Sequence, residues 1–233
     1  MPDPSGSSGS GEPGPQWGWK ADLLDGLRSP LAAALLGTQV IEQALKRHDL
    51  AKAQRLLVPL ASVLRRLSRL VDSLLDAKRI EAGENTLQLS EVRPETLLSR
   101  VADELDLILA LHGLALELDL PPGLPPLNAD GDLLFRGLMG LIEAAIRCSL
   151  ANAQLRLSAA EQAPGCRITL AALGSGAIPW DKSVLGFGFA FCEAAVQAHG
   201  GRVTLGHGPD HENSVTLWLP LQPSHSRVSV EAG

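Results

Sequence analysis

The sequence predicts an α+β protein, a two-helix hairpin followed by an α/β sandwich, and two observations carry that prediction. Leu24, Leu27, Leu31, Ala34, Thr38, Ile41 and Leu45 follow one another in alternating steps of three and four. After a polar break the same pattern resumes through Leu56, Leu60, Val63, Leu67, Leu70 and Leu74, which is the seam of a helical bundle. Beyond Gly83 short runs of period two alternate with amphipathic helical segments, as they do where helices cover a sheet.

Residues 1–16, MPDPSGSSGSGEPGPQ, hold almost no core-forming side chains and are predicted to be a disordered tail. Residues 17–83 make the hairpin, with its turn at Arg47, His48 and Asp49 and with Asp49 as N-cap of the second helix. Leu57, Leu64, Val71 and Leu75 widen the second stripe beyond one seam. Burying each such side chain is worth ~1.5–3 kcal/mol, so two hairpins are expected to pair as a homodimeric four-helix bundle. Its interface is expected to comprise Leu24, Leu27, Leu31, Ile41, Leu45, Leu56, Leu60, Val63, Leu67, Leu70 and Leu74.

Residues 84–222 hold the sandwich. LQLSEV at 87–92 alternates like a strand, and Pro94 opens a helix through Leu97, Leu98, Val101, Leu105 and Ile108. A strand at 115–120 ends in the Pro-rich loop PPGLPPL, and a helix runs from about Asp130 to Leu150. LRLSA and CRITLAAL are strands about a turn at Gln162 to Gly165. A helix at 188–199 and a Gly-Gly turn lead to the strands RVTLGH and SVTLWLPL. Residues 223–233 are expected to be a flexible C-terminal tail.

A net charge of -6 with no basic stripe argues against nucleic-acid binding. With no secretory leader and no apolar run long enough to span a bilayer, a cytoplasmic protein that does not engage a membrane is expected. Cys148, Cys166 and Cys192 are widely spaced, and no second cysteine or histidine stands at zinc-finger spacing. They read as reduced, buried thiols, and no metal is assigned.

Three ordered segments resemble the core of sensor histidine kinases. DGLRSPLAAAL at 25–35 resembles the phosphoacceptor box through Leu27, Arg28, Ser29, Pro30 and Leu31. LLDAKRIEAGENTLQLSEVRPETLL is similar to the exit from the dimerisation hairpin into the ATP-binding domain. FGFAFCEAAVQAHGGRVTL is similar to the glycine-rich box and the helix after it. The resemblance covers about residues 20–221 and implies a Bergerat-type, GHKL ATPase-like second domain.

It also implies positions where a working residue is replaced. Asp25 stands in the histidine slot, and Gly26 where the family has an acid that helps move a proton or place a water. Ala144 falls at the magnesium-binding asparagine and Ala172 at the aspartate that recognises adenine, while Gly174 and Gly176 of that box remain. Gly186 and Gly188 survive beyond AIPWDKSVL, a loop where the family carries a longer lid. The expectation is a catalytically inactive form, a pseudokinase that is not an enzyme, with no cofactor.

No accompanying sensor segment is expected, so input is expected through binding. Its partners would be a second copy and a response-regulator receiver domain or an active histidine kinase. Asp25, Arg28, Ser29, Arg65, Arg66 and Arg69 are the candidate partner-binding residues, since arginines attract the acidic pocket of a receiver domain. Two alternatives remain: a histidine phosphotransferase relaying through His48, and a nucleotide-binding switch without turnover.

Overall fold

Helical periodicity on both sides of the polar break yields two long helices, α1 (Trp19–Lys46) and α2 (Leu50–Glu81). The computed structural model describes residues 19–84, 86–150, 153–173, 179–207 and 213–222, with the side chains of α1 from Leu27 onward. The predicted tails at 1–16 and 223–233, and Gly174 and Gly176, lie outside the described residues. At the tip the Asp49 carboxylate accepts the Lys52 N–H at 3.0 Å and caps α2, and His48 turns the chain with a φ of 56°. A Cβ added at Gly37 would lie 3.3 Å from Leu60 Cδ1, so the helices pack closely there. Residues equally distant from the tip therefore face each other.

The rest of the chain is built as β1 (Ser90–Val92), α3 (Pro94–His112), β2 (Ala115–Asp119), β3 (Leu127–Ala129) and α4 (Gly131–Cys148). It continues as β4 (Gln154–Gln162), β5 (Gly165–Leu173), α5 (Lys182–Ala198), β6 (Arg202–His207) and β7 (Asn213–Pro220). β2, β4, β5, β7 and β6 form a mixed five-stranded sheet in that order, parallel only between β2 and β4. Burial alternates along β4, β5 and β7, so one face of the sheet is dry. Leu155, Leu157, Ile168, Leu170, Val215 and Leu217 point there and pack with Leu98, Val101 and Leu105 of α3 and Leu141 and Ile142 of α4. The fold is thus α+β, with helices covering one side of a mixed sheet.

Three sequence expectations change. The strand expected at 87–92 shortens to β1, because its ladder to β3 ends where that three-residue partner ends. β3 itself begins on the last residue of the Pro-rich loop, and its alternation, Leu-Asn-Ala, is only three residues long. α5 starts at Lys182 rather than 188, so part of the supposed loop is helical. Asp181 makes that possible: its Oδ1 accepts the Ser183 and Val184 N–H groups at 2.8 Å each and the Ser183 hydroxyl at 2.6 Å. Those bonds, the hydroxyl first, hold its carboxyl below the usual range. Gly186, at φ 55° and ψ -138°, then kinks the chain into the rest of the helix.

His199 ends α5 and ties it to α4. Its Nε2 accepts the Asp130 N–H at 2.9 Å, which leaves the proton on Nδ1 to donate to the Ala195 carbonyl at 2.7 Å. Burial pushes its pKa below the ordinary value. A histidine with a depressed folded pKa contributes stability above its unfolded pKa that is lost as pH falls through the folded one. Wild-type protein is therefore expected to lose thermal stability on acidification below about pH 6.5. His199→Asn should flatten that part of a melting-temperature profile, and an unchanged slope would remove the assignment.

Candidate functional site

The hairpin and the sandwich meet in a crevice of about 340 Å³. α1 contributes Ser29, α2 contributes Arg66, Arg69, Leu70 and Ser73, α4 contributes Arg136, Met139, Gly140, Glu143 and Arg147, and the start of α5 contributes Ser183 to Gly188 and Phe191. Leu70, Met139, Phe187 and Phe191 are among its apolar lining, and an apolar cluster lies beside it. Leu133, Phe187, Phe191 and Ala195 pack with Ala77 of α2, joined by Leu27, Leu70 and Leu74, and the Phe187 and Phe191 rings stack at 5.9 Å.

The walls are charged, and Glu143 is their centre. This carboxylate is 8 % exposed and sits in an otherwise apolar stretch of α4, a position that carboxylates occupy only when paired. Its Oε2 lies 2.8 Å from Arg66 Nε, and its Oε1 accepts from Arg69 Nη2 at 2.8 Å. Arg69 also reaches Glu104 of α3 at 3.1 Å, and Arg136 of α4 reaches back to Asp76 of α2. Arg147 donates to the Glu143 carbonyl at 3.1 Å. Burial first, and then Arg66, push its pKa down, while Glu143 acts in the other direction.

The expected partner-binding residues separate under this geometry. Arg28, Ser29 and Arg65 are exposed, whereas Arg66 and Arg69 are turned onto Glu143. Asp25 and Gly26 lie in the α1 backbone, and their side chains fall outside the described residues, as does that of Leu24. His48 is exposed at the hairpin tip, away from the crevice.

The expected dimer-interface residues divide as well. Ile41, Leu56, Leu60, Val63 and Leu67 are half-buried, Leu27, Leu70 and Leu74 pack toward the sandwich, and Leu31 and Leu45 are exposed at 52 % and 48 %. The residues that widen the seam are the ones left open: Leu57, Leu64, Val71 and Leu75 are 52, 51, 47 and 49 % exposed. They lie on roughly the opposite side of α2 from Arg66, Arg69 and Ser73.

Ala144 is fully buried on α4, and its methyl would stand 3.1 Å from a Cβ at Gly188. Ala172 is buried in the sheet core that also holds Trp180. The Trp180 backbone N–H donates to Asn213 Oδ1 at 2.9 Å. Neither alanine offers a side-chain oxygen, so these two residues do not fit a magnesium-bound nucleotide held in the manner the resemblance implies. Among the described residues no group of His, Cys, Asp and Glu could hold a metal, and no helix is long and apolar enough to cross a membrane. Cys166 and Cys192 are buried free thiols, pushed up by burial to about 11 and about 12.

No protein-family model matches the chain. It is 25 % identical over 223 residues to the adaptive-response sensory kinase SasA of Microcystis aeruginosa, covering 86 % of this chain and 58 % of that one. It is 26 % identical over 220 residues to the sensor protein DivL of Caulobacter vibrioides, covering 89 % of this chain and 28 % of the relative. The fold matches that of the histidine kinase AdeS of Acinetobacter baumannii with a TM-score of 0.60 and 21 % identity, over 84 % of this chain and 96 % of that one. The chain thus spans between about a quarter and three fifths of the two sequence relatives.

These findings correct one expectation. Asp25, Gly26, Ala144 and Ala172 led to the reading of a chain that is not an enzyme, yet a relative matched over 86 % of this chain is named as a sensory kinase. The expectation that the chain is not an enzyme is therefore withdrawn.

Proposed function

From the premise of a chain homologous to sensor histidine kinases, we propose that it works in a two-component pathway as a homodimer that docks a receiver domain. Two copies pair through the open face of the hairpin, and the receiver domain binds beside the turn of α1 that carries Arg28 and Ser29. The observation that supports this reading most is the exposed row Leu57, Leu64, Val71 and Leu75 on α2, beside Leu31 and Leu45 on α1. An apolar row of this length on a charged helical hairpin marks an association face, and a four-helix bundle buries it.

Arg28 and Arg65 are the docking cations in this reading. Both are exposed, and neither carries an ion pair among the described residues. The antiparallel hairpin brings them to similar distances from the tip, and a receiver domain's acidic pocket offers the complementary charge. Isothermal titration of the dimer with purified receiver domains from the source genome tests this. Arg28→Glu with Arg65→Glu is expected to weaken binding at least about tenfold and to reduce its salt dependence. Failure of every receiver domain to bind, or binding indifferent to both changes, would sink the proposal.

A further inference from the structure

We infer that the outer face of the five-stranded sheet docks an acidic, extended segment of a partner protein, gripped by Arg167 and Arg202 on either side of Trp218. This face is turned away from the helices, so the inference is independent of the crevice and of the open row on α2.

Strand register places the three side chains in one row. Trp218 of β7 pairs with Arg167 of β5 on one side and with Arg202 of β6 on the other, and alternation along the strands puts all three opposite the core. Neighbouring strands lie about 4.8 Å apart, so the two arginines leave the sheet about 10 Å from each other. Beside them runs a second row, Ser158, Thr169, Thr216 and Thr204, one residue from each of four strands. Its side chains are short, so an extended chain could lie along the arginine row without obstruction.

Two features favour a docking site over an ordinary solvated face. First, the charge has one sign. The chain has 26 acids against 20 lysines and arginines, yet the outward positions of β5, β6 and β7 carry no carboxylate. Arg167 and Arg202 are exposed and have no ion pair among the described residues, whereas Arg156 on the same face is neutralised by Glu117 at 3.1 Å. Second, Arg202 is already oriented. Its guanidinium lies 4.6 Å over the Trp218 ring centroid. The ring is fixed in turn by its Nε1 N–H, which donates to the Gln162 carbonyl at 3.3 Å, and by lying across Gly165, where a Cβ would come 2.9 Å from Cε2 and Cζ2. Stacking occupies one flat side of the guanidinium and leaves its N–H edge open for a carboxylate.

The amount of charge selects the occupant. Two unpaired cations on a chain of net charge -6 are too few for nucleic acid, which is held through many phosphates, or for an anionic membrane, which is met by clusters of about four to eight. They match two carboxylates. In a polyproline II segment, residues three apart share a side and lie about 9 Å from each other, close to the separation of the two arginines. The residues between them would cross Trp218.

Fluorescence anisotropy of a labelled peptide carrying Glu-Pro-Pro-Glu, titrated with the full chain, tests the inference. Saturable binding is expected, and none to the same peptide carrying Gln-Pro-Pro-Gln. Arg167→Gln and Arg202→Gln should each weaken binding about fivefold, and both together at least about twentyfold. Trp218→Leu leaves both charges in place, yet should weaken binding as much as Arg202→Gln does, because the guanidinium loses its platform. The two arginine changes fall on exposed side chains and spare folding, so they decide the matter if Trp218→Leu does not fold. No saturable binding of the acidic peptide, binding indifferent to the double arginine change, or wild-type affinity in a folded Trp218→Leu would overturn the inference. So would tighter binding to vesicles containing phosphatidylserine, or to single-stranded DNA, that the double change abolishes, since the face would then be one for phosphates.

Discussion

Gly188→Ala is expected to lower the melting temperature by roughly 6–12 °C, the fall that about 3 kcal/mol produces in a chain of this size. The cause is the crossing of α4 and α5. A Cβ at Gly188 would lie 2.8 Å from the Gly140 carbonyl carbon, closer still to its oxygen, and 3.1 Å from the Ala144 methyl. Backbone cannot rotate out of the way as a flexible side chain can, so the helices must move apart. That loosens the packing of Phe187, Phe189 and Phe191, all buried, and overpacking of this kind costs about 1–3 kcal/mol and occasionally more. Gly140→Ala is the matched control. Its Cβ would meet Gly188 Cα at 3.5 Å, an ordinary contact, and alanine favours a helix over glycine by about 0.8–1 kcal/mol. Thermal melts of the pair should therefore diverge, and equal stability would show that the helices do not cross backbone to backbone at these glycines.

Leu64→Glu combined with Val71→Glu is expected to convert the proposed dimer to a monomer. Both residues sit near the middle of the open row on α2, where a second hairpin would bury them. Each dimer would then hold several unpaired carboxylates at its centre, at several kcal/mol apiece. Association should weaken by at least about 10³-fold, or about 4 kcal/mol. Folding should be spared, because each side chain is about half exposed within one chain, at 51 % and 47 %. Light scattering coupled to size exclusion reads the result. A double variant that stays dimeric would place the interface elsewhere.

The hairpin was legible because its code is local: steps of three and four, a polar turn and the capping carboxylate Asp49. Which part of the apolar stripe faces which neighbour was not legible, because periodicity fixes a face only relative to its own helix. Leu70 and Leu74 face the sandwich, while Val71 and Leu75, one residue further on, are open. The start of α5 was hidden by Gly186, whose reversed φ interrupts the pattern that the helix otherwise carries. Three-residue β3 is stabilised by pairing with a distant segment, and its own alternation is too short to read.

The candidate site was legible at the level of its cations and opaque at the level of their partner. Arg66 and Arg69 stood out as basic residues on α2, but Glu143 lies 74 residues from Arg69 along the chain. A signal was present nonetheless. Glu143 interrupts the run GLMGLIEAAI on α4, and a carboxylate in a run that must be buried requires a cation from elsewhere in the fold.

Native mass spectrometry of the full chain, alone and with each purified receiver domain of the source genome, tests the proposed function most directly. The account predicts a dimer at low micromolar concentration and, with a receiver domain, a complex of two copies of each chain that Arg28→Glu with Arg65→Glu disrupts. A monomer at every concentration, or a dimer that retains no receiver domain, would contradict it.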